Sequence, residues 1–235
     1  MVIFDKSNIV KAKFISRPNR FEACVYKDNS KIMIHVPNTG RCKEILIPGA
    51  RVILRKENNP SRKTEYDLIA AYKGENLINI DSQIPNKVVY EALNMKKIDF
   101  FRKYIKVERE KIFGNSRFDF ELWDRNNRRC FLEVKGVTFE KNGIALFPDA
   151  PTERGRKHLL ELVEAKKSGL EAAILFLIQM TGVKCFTPYD EVDRKFGEDL
   201  RYAWQNDVKI FAYDCNVGEY FIILNKLYYF IRFIM

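Results

Sequence analysis

Zinc-binding and disulfide-forming residues are scarce in this chain. It has only two histidines, and its five cysteines (Cys24, Cys42, Cys130, Cys185 and Cys215) are odd in number, widely spaced and without a CxxC pair. That argues against a zinc site and a disulfide framework, and it points to a reducing cytoplasm. No glycine-rich loop is present to cradle a phosphate, which weakens the case for a nucleotide- or sugar-phosphate-binding enzyme. Repeats and low-complexity stretches are missing, as is the apolar run of a signal peptide. The tail from Tyr220 to Met235 is intensely apolar, but its sixteen residues are interrupted by Asn225, Lys226 and Arg232. A bilayer span needs ~20 residues, so a buried terminal strand pair or a homo-oligomer contact is expected there, with no membrane partner.

The chain does have positive charge. The net charge is +10 over 235 residues, which suits a polyanionic partner. Residues 1–80 hold fifteen Lys and Arg against eight Asp and Glu, while residues 81–235 hold twenty-six against twenty-three. The excess therefore sits in the first third. A basic N-terminal platform for nucleic acid beside a more acidic catalytic part fits this asymmetry.

Residues 1–80 read as all-β. Short apolar runs (IVKAKFI, FEACVY, KIMIHV, EILI, ARVILRK, YDLIAAY, NLINI) recur about every ten residues between Pro, Gly and Asn turns, as in a five-stranded OB-like barrel. From Asp81 the pattern changes. DSQIPNKVVYEALNMKK predicts a helix capped by Asp81 or Ser82, with Val88, Val89, Ala92, Leu93 and Met95 on its inner face. Strands follow near 104–113, 116–124 and 129–139, and Asn142-Gly143 reads as a hairpin turn into IALF. Thr152 to Ser168 is helical. EAAILFLIQ reads as a strand covered on both faces. EVDRKFGEDLRYAWQ predicts a helix buried through Phe196, Leu200, Ala203 and Trp204, before strand VKIFAYDC. The expectation is an α/β domain with a mixed sheet over residues 81–235.

The most telling arrangement lies in two of these strands, SRFDFEL and FLEVKGVTF. Strand side chains alternate, so Glu133 and Lys135 leave one face while Val134 points away. If the strands are neighbours, Asp119 joins them. Acid-x-Lys is common on solvated strands, where opposite charges pair. Here the setting is apolar, and buried charges are costly unless they serve each other or a metal. Asp119 and Glu133 are candidate ligands for Mg²⁺ or Mn²⁺, and Lys135 is placed to orient water or stabilise an attacked phosphate.

This order of elements around D…E-x-K is similar to the PD-(D/E)xK nucleases, with their restriction-endonuclease-like fold. RPNRF, HVPNTGRCKEILIPG, RKTEYDL, IDSQIPNKVVYEAL, GNSRFDFEL, LEVKGVT and FPDAPTERGRKHLLEL together resemble the sugar fermentation stimulation protein A family over about residues 12–215. The resemblance implies an N-terminal OB-like domain, a nuclease-like C-terminal domain and DNA binding, with a link to sugar and maltose metabolism. It also implies a catalytic role for Asp119, Glu133 and Lys135, and adds Glu91 on the helix before the first core strand. Gln179 resembles a substrate-contacting glutamine of some relatives. Beyond Cys215 the sequence departs from the family and receives no function.

Arg17, Arg20 and Arg41 lie in turn-like motifs and are candidate phosphate contacts. Arg51, Arg55, Lys56, Arg62 and Lys63 form a second basic cluster. Phe21 and Tyr66 are candidate stacking platforms, although the barrel core is the favoured place for both and for Phe14. Arg117 is expected either to grip a phosphate or to pair with the acidic site. Arg154, with Arg156, Lys157 and His158, opens a helix near the presumed cleft. His158 is favoured as a packing or hydrogen-bonding residue over a catalytic base. Two functions remain: a metal-dependent nuclease acting on DNA or RNA, and a non-catalytic DNA-binding regulator that retains a nuclease fold.

Overall fold

The structure, a computed structural model, describes residues 1–228. Its first strands are β1 (Val2–Ile3), β2 (Ile9–Ser16), β3 (Glu22–Lys27), β4 (Ser30–His35), β5 (Arg51–Lys56), β6 (Tyr66–Lys73) and β7 (Asn76–Asn79). Strands β2 to β6 form an OB-type barrel in the order β4-β3-β2-β5-β6, with β7 added beside β6. The barrel closes where His35 of β4 meets Asp67 of β6 in parallel register. Closure brings the first and last strands of this order together at this point, and Phe14, Val25, Ile34, Val52, Leu54 and Leu68 fill the interior. Tyr66 is buried with them, as expected.

Two expectations fail in this half. Phe21 is 56% exposed rather than part of the core. The EILI run is a turn: the amides of Ile45 and Leu46 both bond the Cys42 carbonyl, at 3.1 and 2.8 Å. Ile45 and Leu46 are buried while Ile47 stays outside. A buried pair at a turn carries the same short apolar signal as a strand. In addition, β1 pairs with the C-terminal strand, so the first residues belong to the other sheet.

The second half contains α1 (Ile84–Asn94), β8 (Tyr104–Phe113), β9 (Ser116–Asp124), β10 (Arg129–Val137), β11 (Phe139–Lys141), β12 (Ile144–Phe147), α2 (Glu153–Lys167), β13 (Glu171–Ile178), β14 (Cys185–Pro188), α3 (Arg194–Gln205), β15 (Lys209–Gly218) and β16 (Phe221–Tyr228). A seven-stranded mixed sheet runs β1-β16-β15-β13-β10-β9-β8. Strands β10, β13 and β15 are parallel, as their helical crossovers require. Strand β13 separates two apolar layers. Ala172, Ile174, Phe176 and Ile178 face α2 and α3, while Ala173, Leu175 and Leu177 face α1.

Helix α1 starts later than expected. Its N-cap is Gln83, which makes no side-chain cap, and Pro85 sits in the first turn. Asp81 accepts instead from the Gln83 amide at 2.9 Å, as an Asx turn does. Met95 lies beyond the last turn and is exposed, and Trp204 is also largely exposed rather than turned inward. Helices α2 and α3 are capped by Thr152 and Asp193, which accept from Gly155 and Phe196 at 3.0 Å each. The described part of the apolar tail forms β16, antiparallel to β15. Residues 229–235 lie outside the described residues. No helix among the described residues is long and apolar enough to cross a membrane.

Candidate active site

The ladder between β9 and β10 runs from Arg129 opposite Trp123 to Leu132 opposite Phe120 and ends there. One further step of this register would set Asp119 against Glu133. A side chain replaces the backbone partner at that point: Asp119 Oδ2 accepts from the Val134 amide at 2.8 Å. Its Oδ1 accepts from Asn86 Nδ2 of α1 at 2.6 Å. On β10, Lys135 Nζ donates to Glu133 Oε1 at 2.5 Å, so the two side chains share a face. Val134 points the other way, into the layer that includes Leu132 and Leu175.

His158, in the second turn of α2, contacts the same Glu133 oxygen through Nδ1 at 2.6 Å. An ionised carboxylate only accepts, so Nδ1 carries the hydrogen in this contact. The Phe118 ring packs edge-on against the imidazole, with ring centroids 5.7 Å apart. Gly136 follows Lys135 because Gln179 and α1 both approach closely: a Cβ there would collide with Gln179 Oε1 and lie 2.8 Å from Pro85 Cγ.

The electrostatics separate the two acids. Burial pushes the Asp119 carboxyl up to about 6, and the neighbouring Glu133 charge adds to this against the Val134, Asn86 and Lys135 contacts. Burial also works to raise Glu133, yet His158 and Lys135 hold it below the usual carboxylate range. Glu133 is 3% exposed, and its Oε2 is buried without a hydrogen-bond partner among the described residues. A buried, unpartnered carboxylate oxygen is costly.

A divalent cation would remove that cost. Glu133 Oε2 and the Asp119 carboxylate are hard oxygen donors of the kind Mg²⁺ and Mn²⁺ take. No group of three or more His, Cys, Asp and Glu side chains forms a metal cage among the described residues. Water and substrate oxygens would therefore complete the shell, as is usual for Mg²⁺.

The other expected residues fall into three groups. Glu91 is half-buried, but Asn86, on a different face of α1, makes the helix's contact to Asp119. Among the basic residues, several are already committed. Arg17 donates to the carbonyls of Gly40, Arg41, Arg20 and Asn38 at 2.5–3.1 Å, clamping two loops together. Arg62 pairs with Asp67 and Glu57. Arg51 pairs with Glu75 at 2.9 Å and covers the Tyr72 ring. Arg117 pairs with Glu110 at 2.8 Å rather than with Asp119 or Glu133. Arg20, Arg41, Lys63 and Arg154 are exposed.

Gln179, which resembles a substrate-contacting glutamine, ties the two halves together through its amide nitrogen. Its Nε2 donates to Asn79 Oδ1 at 2.9 Å and to the carbonyls of Asn79 and Asp81. Asn86 was not anticipated at all. No sequence signal marks a helix residue that reaches a strand carboxylate thirty-three positions away.

The domain described as the sugar fermentation stimulation protein RE domain matches residues 83–220. The domain described as the SfsA N-terminal OB domain matches residues 15–80. The chain belongs to the sugar fermentation stimulation protein family. A family homologue from Clostridium kluyveri is 66% identical over 223 residues, covering 95% of this chain and 96% of the homologue. One from Clostridium novyi is 60% identical, covering 92% and 94%. Among solved structures, SfsA from Pyrococcus furiosus in complex with Ca²⁺ matches with a TM-score of 0.89 at 25% identity, over 99% of this chain and all of that one. The family match extends past Cys215 to residue 220, beyond the point where the sequence alone looked unrelated.

Proposed function

We propose that this protein is a divalent-metal-dependent phosphodiesterase of nucleic acid, DNA foremost, with Asp119, Glu133 and Lys135 at its centre. The observation that carries this reading is the buried, unpartnered Oε2 of Glu133 beside a second carboxylate and an ammonium. A bound Mg²⁺ or Mn²⁺ would supply charge neutralisation and a more acidic water. The structure of the Pyrococcus furiosus relative with Ca²⁺ supports use of a hard divalent cation.

Each residue has a task in this reading. Asp119 and Glu133 supply the oxygen ligands. Asn86 and the Val134 amide fix the Asp119 carboxylate, and His158 fixes Glu133 through its other oxygen. Such outer contacts orient ligands. Lys135 presents an ammonium where negative charge grows on the phosphate, which is the usual largest source of rate enhancement.

Cleavage of labelled single- and double-stranded DNA and RNA, with Mg²⁺ or Mn²⁺, tests the proposal against Lys135→Ala. Loss of one such charge should slow cleavage by about 10²–10³-fold. Equal, negligible cleavage by both proteins would remove the hydrolase reading. One observation favours a second reading, a non-catalytic DNA-binding regulator of sugar metabolism: Lys135 already neutralises Glu133, and His158 bonds the same oxygen. That reading predicts retained DNA binding without cleavage.

A further inference from the structure

Between the barrel and the start of α2 lies an open cleft of about 700 Å³, walled by Asn19, Arg20, Arg41 and Lys43 on one side and by Ala150 and Pro151 on the other. No acidic residue lines it. Arg20, Arg41 and Lys43 are exposed, and their side chains have no ion-pair partner among the described residues. Elsewhere on the barrel, Arg51, Arg55 and Arg62 are all matched by acids. The loops carrying the free charges are held by Arg17, whose guanidinium binds the Arg20, Asn38, Gly40 and Arg41 carbonyls. The charges are thus presented from fixed backbone, which lowers the cost of binding.

Asn19 also belongs to a second hollow, with Phe21, Lys63, His35 and one acid, Glu22, to which Asn19 Nδ2 donates at 2.8 Å. Phe21 is 56% exposed there, and Lys63 is exposed without an ion-pair partner among the described residues. At the cleft's other end, Pro151 leads through the Thr152 cap into α2, whose second turn carries the His158 that holds Glu133. Shared residues thus connect the exposed ring, the free charges and the helix beside the candidate active site in one line of neighbours.

We infer that a single strand of nucleic acid follows this line, from the Asp119–Glu133 centre through the Arg20–Arg41–Lys43 cleft to a base stacked on Phe21. The inference rests on the phosphodiesterase reading for its direction and adds the strand class and path. Chemistry favours one strand, because a basic track ending on an exposed aromatic ring suits a flexible backbone with unpaired bases, whereas a duplex keeps its base faces stacked inside the helix.

The test measures binding without divalent metal, in EDTA, so that failed hydrolysis leaves it untouched. Fluorescently labelled oligothymidylate, oligouridylate and a hairpin duplex of equal length are titrated by anisotropy. One or both single strands should bind at least about tenfold tighter than the duplex. Arg41→Ala/Lys43→Ala should weaken single-strand binding about tenfold and reduce the salt slope by about 1.4, the value for two phosphate contacts on a single strand. Phe21→Ala should weaken it by about fivefold or more, with little change in salt slope. Lys195→Ala on α3 serves as a charge control and should change little. All three side chains replaced in the cleft variants are exposed, and thermal melts confirm that those variants fold. Duplex bound as tightly as single strand, or single-strand binding indifferent to both the cleft and Phe21 variants, would overturn the path.

Discussion

Asp67 and Glu133 are both buried carboxylates, each beside a histidine and a basic side chain, and they differ in one respect. At the barrel seam, Asp67 Oδ1 accepts from His35 Nδ1 at 2.8 Å and from Arg62, while Oδ2 accepts from Arg55 at 3.0 Å and Arg62 at 3.4 Å. Both oxygens are satisfied. In the central sheet, Lys135 and His158 share one Glu133 oxygen and leave the other bare. A complete buried ion cluster gains nothing from a ligand and serves the fold. An incomplete one carries a standing cost that a ligand can relieve. The same residue types therefore do different work according to whether the last lone pairs are filled.

The sharpest way to break this comparison is to neutralise each acid. Glu133→Gln should abolish metal-dependent cleavage, by about 10²-fold or more. It should also erase the rise in melting temperature that Mg²⁺ or Mn²⁺ gives the wild type. Its stability without metal should move by less than about 1 kcal/mol, since the glutamine carbonyl still accepts from Lys135 and His158. Asp67→Ala should do the opposite. It removes the acid that His35, Arg55 and Arg62 share, leaving the two arginines only Glu57 and Asp81, and should cost about 2 kcal/mol in urea unfolding, while cleavage per folded molecule stays unchanged. A metal-dependent melting shift that survives Glu133→Gln would refute the distinction.

Asn86 offers a finer test. Its amide fixes one Asp119 oxygen at 2.6 Å without touching the cation in this scheme. Removing such an orienting contact usually costs 10–100-fold in metal affinity or activity. Asn86→Ala should therefore lower cleavage by about tenfold and raise the Mg²⁺ concentration needed for half-maximal rate. A merely structural asparagine would lower stability and leave the Mg²⁺ dependence alone.

What the sequence revealed follows the range of each signal. Strand alternation is local, so Glu133 and Lys135 on one face could be read directly, and Asp119 followed from one assumption about neighbouring strands. Asn86 and His158 reach the site from helices, and their contacts exist only once α1 and α2 pack on opposite faces of the sheet. Charge is legible too, but its commitment is not: Arg17 and Arg62 look like phosphate ligands until carbonyls and carboxylates occupy them. Phe21 shows the same limit, since an aromatic in a β-rich segment reads as core unless its face is known.

The smallest expected effect concerns pH. Burial acts to raise the Asp67 carboxyl, but the hydrogen bonds from Arg62 and His35 prevail and hold it below its usual value. An unfolded Asp titrates near 3.9. The unfolded chain therefore binds this proton at a higher pH than the folded chain does. Stability from Asp67 is fully present above about pH 5 and is lost as pH falls from there through the depressed folded value. The slope cannot exceed about 1.4 kcal/mol per pH unit for one proton. Other carboxylates contribute to acid unfolding, so the informative quantity is the difference between wild type and Asp67→Asn, which cannot ionise. That difference should shrink as pH falls from 4 to 3 in urea titrations. A gap of the same size at pH 3 and pH 7 would mean that shape and hydrogen bonding, rather than the charge on Asp67, hold the barrel seam closed.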